Sequence, residues 1–224
     1  MELLAFARGP ALTLALAIFA LGIAWRLFGI FRRPARRDLS EPRSTATAAG
    51  AARAIATHMW HAKNFRRRSL TRSLNAYAYH IGLAIIVFGF VPHIAFIERL
   101  TGLSWPALPG WIFVAGVGLT FVGLLYAMME RLTSPVLRLL SNFDDYASWI
   151  ATILPVVTGM ALLTLPLASR YPFVPDRPVA VALHLLSLEL LLAWLPFSKL
   201  SHAFLVFFSR AATGAALSRR GAVA

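Results

Sequence analysis

An all-α membrane protein, a bundle of five transmembrane helices with its N-terminus outside and its C-terminus in the cytoplasm, is the fold class this chain predicts. Three observations point there. The 224 residues are 58% hydrophobic with a mean hydropathy of +0.68, too apolar for an ordinary soluble domain. The apolar residues fall in blocks close to the ~20 residues that a helix needs to cross about 30 Å of hydrocarbon. The cations divide unevenly between the segments that join those blocks.

The blocks place spans near 9–31, 75–97, 110–130, 146–168 and 179–208, within one membrane domain covering 1–224. The first reads as a retained helix and not as a signal peptide. Its start, Met1 to Leu4, has no basic region, and the apolar run from Ala11 to Trp25 meets Arg26 with no clear cleavage site. The 32–74 segment is the longest non-apolar stretch. It opens with Pro34 and a Ser/Thr/Ala/Gly-rich run over Ser40–Ala52, then turns amphipathic. Ile55, Met59, Trp60 and Phe65 alternate with Arg53, His58, His61, Lys63 and Arg66 to Arg68. A short interfacial helix is expected there, and a docking surface for a cytoplasmic partner. Leu100 to Pro109, with Trp105, and Arg170 to Pro178 read as outer turns. Aromatic residues at the span ends fit the interfacial belt.

Of the 22 Lys and Arg, 18 then lie on one side of the membrane, 11 of them in the 32–74 loop. The other side holds only Arg8, Arg99, Arg170 and Arg177. The positive-inside rule sets the orientation from this imbalance. The net charge of +13 is thereby read as topology plus contact with anionic membrane lipid, and not as nucleic-acid binding, for which the basic loop carries no motif. The chain has no cysteine, which excludes disulfides and cysteine-ligated zinc or iron–sulfur centres within it.

Ionisable side chains inside a span are costly and mark function by default. Four histidines qualify. In the expected topology His80 and His202 lie near the cytoplasmic ends of antiparallel spans, and His93 and His184 near the outer ends. Two depth-matched pairs are what two stacked bis-histidine haems need, one in each leaflet. The bland alternative for each is an interfacial hydrogen-bonder. On a straight helix, eighteen residues make five whole turns, so His184 and His202 share a face roughly 27 Å apart. His80 and His93 are thirteen apart, about 220° round the helix, and a kink at Pro92 is needed to re-aim His93. A zinc-type site is not expected, because the pairs lie far apart and lack clustered carboxylates. His58 and His61 read as solvated. Glu189, five residues beyond His184, is read either as a proton-exchange group or as a bond to a neighbouring helix. Lys199 either snorkels or pairs with a haem propionate.

The run Leu-Pro-Phe-Ser-Lys-Leu-Ser-His over Leu195–His202, preceded by Leu183 and His184, resembles the last span of the respiratory nitrate reductase gamma subunit family. Tyr79, His80 and Gly82 resemble that family's first ligand segment. Glu130 to Pro135, then Arg138 and Ser141, resemble its approach to the fourth helix. The membrane subunit of the dissimilatory sulfite-reduction-associated complex shares the architecture. The likeness covers about residues 75–210. It implies a membrane cytochrome b in a bacterial inner membrane, with five helices and two haem b groups. His80 and His202 would hold the haem nearer the cytoplasm, and His93 and His184 the outer one. It implies oxidation of a quinol near the outer haem, with electrons passed to a cytoplasmic iron–sulfur subunit and a catalytic subunit that reduces the terminal substrate. One position departs. The family's second ligand falls ten residues after the first, and here that residue is Phe90, which cannot ligate iron. Either His93 replaces it, with the helix bent at Pro92, or the outer haem is absent; the expectation here is His93. The competing class is a non-redox membrane anchor or a transporter docking a cytoplasmic complex. The chain shows no internal repeat of the kind transporters carry.

Overall fold

The computed structural model describes residues 2–32, 39–57, 59, 63–168 and 176–222. They are mostly helical, with no strand among them. The helices are α1 (Glu2–Arg32), α2 (Thr47–Thr57), α3 (Lys63–Gly89), α4 (Val91–Thr101), α5 (Gly110–Thr133), α6 (Pro135–Leu140), α7 (Phe143–Ala168), α8 (Arg177–Trp194) and α9 (His202–Arg219). A short π-helical turn, Ala7–Ala11, interrupts α1 around Pro10, which has no N–H to keep the α-helical register. By length and composition, five helices can cross a membrane: Glu2–Arg32, Gly110–Thr133, Phe143–Thr164, Arg177–Trp194 and Lys199–Arg219. The pair Ser69–Gly89 and Val91–Thr101 meets the same test only when taken together, across a bend of 67°.

Two expected spans are therefore broken. The 75–97 segment leaves the helix at Phe90, whose backbone is extended (φ −97°, ψ 128°). Pro92 disfavours continuation from α3 but suits the first turn of α4, where its missing N–H costs nothing. The 179–208 segment stops at Trp194 and resumes with a 3₁₀ turn at Lys199–Ser201 ahead of α9. Pro196 pushes Leu195 out of helical geometry, and Ser198 caps the new start by accepting from the Leu200 N–H at 3.2 Å. His184 and His202 accordingly lie on different helices in place of the one unbroken span expected.

The chain divides into two compact units, residues 1–19 with 71–194 and residues 20–70 with 195–224. In the first, Leu124, Ile153 and Val156 form a buried cluster, with Tyr79, Leu83, Phe121, Trp149 and Met160 packed on it. Helix α3 meets α5 so closely at Gly82 and Gly116 that a Cβ on Gly82 would collide with the Gly116 carbonyl and the Thr120 side chain. Indole donors tie α7 to its neighbours: Trp149 donates to the Leu124 carbonyl at 2.8 Å and Trp194 to the Ser148 hydroxyl at 3.0 Å. Arg72 pairs with Glu130 at 2.7 Å, and Arg131 with Asp145 at 3.1 Å.

In the second unit the expected loop is folded. Helix α2 takes in the end of the Ser/Thr/Ala/Gly-rich run and reaches Ile55, the first apolar residue of the amphipathic stretch where an interfacial helix is expected. Buried Gly50 and Ala54 pack against Gly214 and Ser218 of α9. Small residues let the two backbones approach, and Ser218 donates to the Ala46 carbonyl at 2.9 Å. His58, His61 and Arg170 lie outside the described residues.

Candidate functional site

The site grows from the break at Phe90. Ending α3 at Gly89 leaves the carbonyls of its last turn without the next turn's donors. Three groups take them up. Trp105 Nε1 donates to the Phe88 carbonyl at 2.6 Å, and the Leu108 N–H to that of Gly89 at 3.0 Å. His93 Nδ1 lies 2.7 Å from the Ile86 carbonyl. A carbonyl can only accept, so His93 donates from Nδ1, and in the neutral ring the lone pair is on Nε2. The break thus turns the chain by 67° and also sets the tautomer of the histidine that follows it. Phe90 stacks on Phe113 at 4.2 Å and meets the edge of the His93 ring at 5.3 Å. The phenylalanine at the family's ligand position serves as a wall of the site.

His184 is held from α7. Its Nδ1 lies 3.0 Å from the Thr158 hydroxyl. Thr158 donates its own proton to the Leu154 carbonyl at 2.8 Å, so it accepts from His184. Ser187 stands 3.1 Å from the same hydroxyl while donating to the His184 carbonyl at 2.7 Å. Gly159 lets the imidazole lie against the α7 backbone, and a Cβ there would stand 3.2 Å from His184 Cε1. With Nδ1 engaged in this way, Nε2 is the ring nitrogen left to face a ligand. Metal-ligating histidines are oriented in this way by a donor bond from the second ring nitrogen.

The break brings His93 and His184 together. Their ring centroids are 6.2 Å apart and their planes differ by 12°. Both line a cavity of about 610 Å³, within the size range of small-molecule and cofactor sites. Its wall is largely apolar, from Phe90, Phe96, Phe113, Val156 and Leu188, and Arg8, Arg99 and Arg177 also line it. Two imidazoles facing one apolar cavity can hold a metal-centred planar cofactor.

The other expected pair is distributed differently. His80, on α3, bonds the Ala76 carbonyl through Nδ1 at 2.7 Å, and its ring stacks on Tyr79 at 4.4 Å. His202 opens α9 and bonds the Lys199 carbonyl through Nδ1 at 2.8 Å. These two histidines belong to different units, so their pairing rests on the sequence reading. Glu189 is buried at 6% exposure, and neither carboxyl oxygen has a hydrogen-bond partner among the described residues. The bond to a neighbouring helix that the sequence allowed is not made there.

Sequence reasoning did not single out Thr158, Ser187 or Gly159, nor the capping role of Trp105. A hydroxyl pair in otherwise apolar spans was the available signal, since polar side chains there seek partners on neighbouring helices.

No family model and no solved structure matches the chain. A curated protein of Nitratidesulfovibrio vulgaris (strain Hildenborough), named only "Protein", is 30% identical to it over 148 residues. The match takes in 65% of this chain and 62% of the length of that relative. The class that fold and composition define is that of helical, multi-pass membrane proteins.

Proposed function

We propose that this chain is a dihaem cytochrome b subunit that passes electrons between the quinone pool and a cytoplasmic iron–sulfur and catalytic partner, in a respiratory complex of the nitrate reductase gamma type or a sulfur-metabolism relative. The observation that carries the reading is the His93–His184 pair. Bis-imidazole ligation of a haem would need two histidine rings presented to one cavity. His93 and His184 offer such a pair, with ring centroids 6.2 Å apart and both side chains lining the same cavity. Haem supplies one-electron chemistry when bound, and the protein tunes it through ligands, hydrogen bonds and burial.

The remaining assignments concern the chain's own side chains. His93 and His184 would hold the outer haem, with Phe90 lending only its face. His80 and His202 would hold the second. Thr158 and the Ile86 carbonyl keep both outer imidazoles in the ligating tautomer. A quinol would be oxidised at the same end of the chain. The N-terminus would face outward and the C-terminus the cytoplasm of a bacterial inner membrane.

A reduced-minus-oxidised spectrum with haem quantification on the purified chain, beside His93→Ala, tests this. Two b haems falling to one in the variant are expected. One haem in both proteins would assign ligation to His80 and His202 and leave the outer site unused. A folded chain with no haem would leave the membrane anchor as the reading.

A further inference from the structure

Membrane chains of this charge pattern are depleted of cations on the outer side. Here only four of 22 remain there by the sequence reading, and three of them, Arg8, Arg99 and Arg177, line the His93–His184 cavity. They arrive from three separate elements: the π-helical turn of α1, the last turn of α4 and the first residue of α8. All three are exposed, and among the described residues none forms an ion pair with a carboxylate. Arg177 precedes His184 by seven residues, which puts it on the same face of α8 and about 10 Å along the axis. Arg99 follows His93 by six residues on α4, about 240° round the helix, and still lines the cavity. The cavity is therefore lined by two imidazoles, by apolar side chains and by three arginines from separate elements. That polarity describes its ligand: a flat apolar body, bound by a metal at its centre and carrying anionic groups at its edge.

We infer that Arg8, Arg99 and Arg177 are the anion subsite of this cavity and receive the edge carboxylates of the tetrapyrrole whose iron His93 and His184 hold. The inference rests on the haem reading above. Guanidinium forks suit carboxylates through paired, charge-assisted hydrogen bonds. The same chemistry would also suit the phosphate of an anionic lipid, so the test must separate the two sources.

The full-length apo-protein, in nanodiscs of neutral lipid, is titrated with ferric haem and with its dimethyl ester, which keeps the iron but masks both carboxylates. Binding is followed by absorbance and by quenching of tryptophan fluorescence. Wild-type protein is expected to favour haem over the ester by roughly tenfold or more, the usual weight of a charged hydrogen bond. Arg99→Gln and Arg177→Gln should weaken haem and leave the ester unchanged, with Arg177→Lys recovering part of the loss. Equal binding of haem and ester by wild type would overturn the subsite. So would arginine variants that lose both ligands equally, which would give these residues a structural role. If haem and ester bind equally while phosphatidylglycerol raises the melting temperature in an arginine-dependent way, the subsite belongs to lipid and the inference is overturned. Failure of wild type to bind either porphyrin would overturn the haem reading itself.

Discussion

At Phe90 and at Leu195–Ser198 the chain leaves helical geometry beside a proline, and a histidine follows each time. The surroundings differ. At Phe90 the freed carbonyls are taken by Trp105, the Leu108 backbone and His93 itself, and the restarted helix lines a cavity. At Leu195–Ser198, Pro196 is fully buried in its own unit. Gly22 makes room for its ring, and Arg26 Nε donates to its carbonyl at 2.8 Å. The first break spends its backbone groups on a site and the second on packing. Breaks in membrane helices are tolerated only where such partners exist, and the identity of the partners tells which kind of break it is.

The largest separation should come from filling the two glycines that flank these breaks. A Cβ on Gly22 would stand 2.7 Å from Pro196 Cβ, an atom of a rigid ring, and one on Gly89 would stand 2.7 Å from Leu108 Cδ1, the end of a flexible side chain. Gly22→Ala is expected to cost about 1–3 kcal/mol, and Gly89→Ala to fall at the low end of that range. Thermal unfolding in detergent measures both. Cofactor content should fall only with Gly89→Ala, because Leu108, whose N–H caps the Gly89 carbonyl beside the site, must shift to admit the new methyl group. A loss with Gly22→Ala instead would reverse the assignment of the two breaks.

Removing one capping donor sharpens the contrast at smaller cost. Trp105→Phe leaves the Phe88 carbonyl without its donor, and Arg26→Met does the same to Pro196, each at about 1–2 kcal/mol. Hydrogen exchange should report opening of Phe88 to His93 in the first variant, with no change there in the second. Exchange spreading to both breaks from either variant would mean that they open as one cooperative unit.

The mildest change should be Thr158→Val, which keeps the shape and removes the acceptor for His184 Nδ1–H. A stability loss of about 1 kcal/mol is expected. The sharper readout is the His184 tautomer, seen by ¹⁵N NMR of histidine-labelled apo-protein, which should become mixed in Thr158→Val and return in Thr158→Ser. An unchanged tautomer would mean that Ser187 and the helix geometry hold the ring without Thr158.

Several features were legible in the residues because they are local. The apolar blocks at 9–31, 110–130 and 146–168 lie within α1, α5 and α7, since hydropathy and length are sums over a short window. The need for a bend near Pro92 followed from the 220° between His80 and His93. The break at Pro196 was missed for a positional reason: a proline near the start of a helix is harmless, and only the packed chain decides where a helix starts. The small residues of Ser40–Ala52 read as a loop because their value lies in close approach to a second helix, which no window contains.

The sequence by itself determined the class of this protein, a helical chain with enough apolar length to cross a membrane several times, together with the histidines available to it. Tertiary structure alone decided which of them meet. His93 reaches His184 across 91 residues of chain because a 67° bend, a carbonyl at Ile86 and a hydroxyl at Thr158 aim the two rings into one cavity. It likewise gathered three arginines, scattered from position 8 to position 177, onto the walls of that cavity. Convergence of this kind is set by long-range packing, and local sequence patterns carry no measure of it.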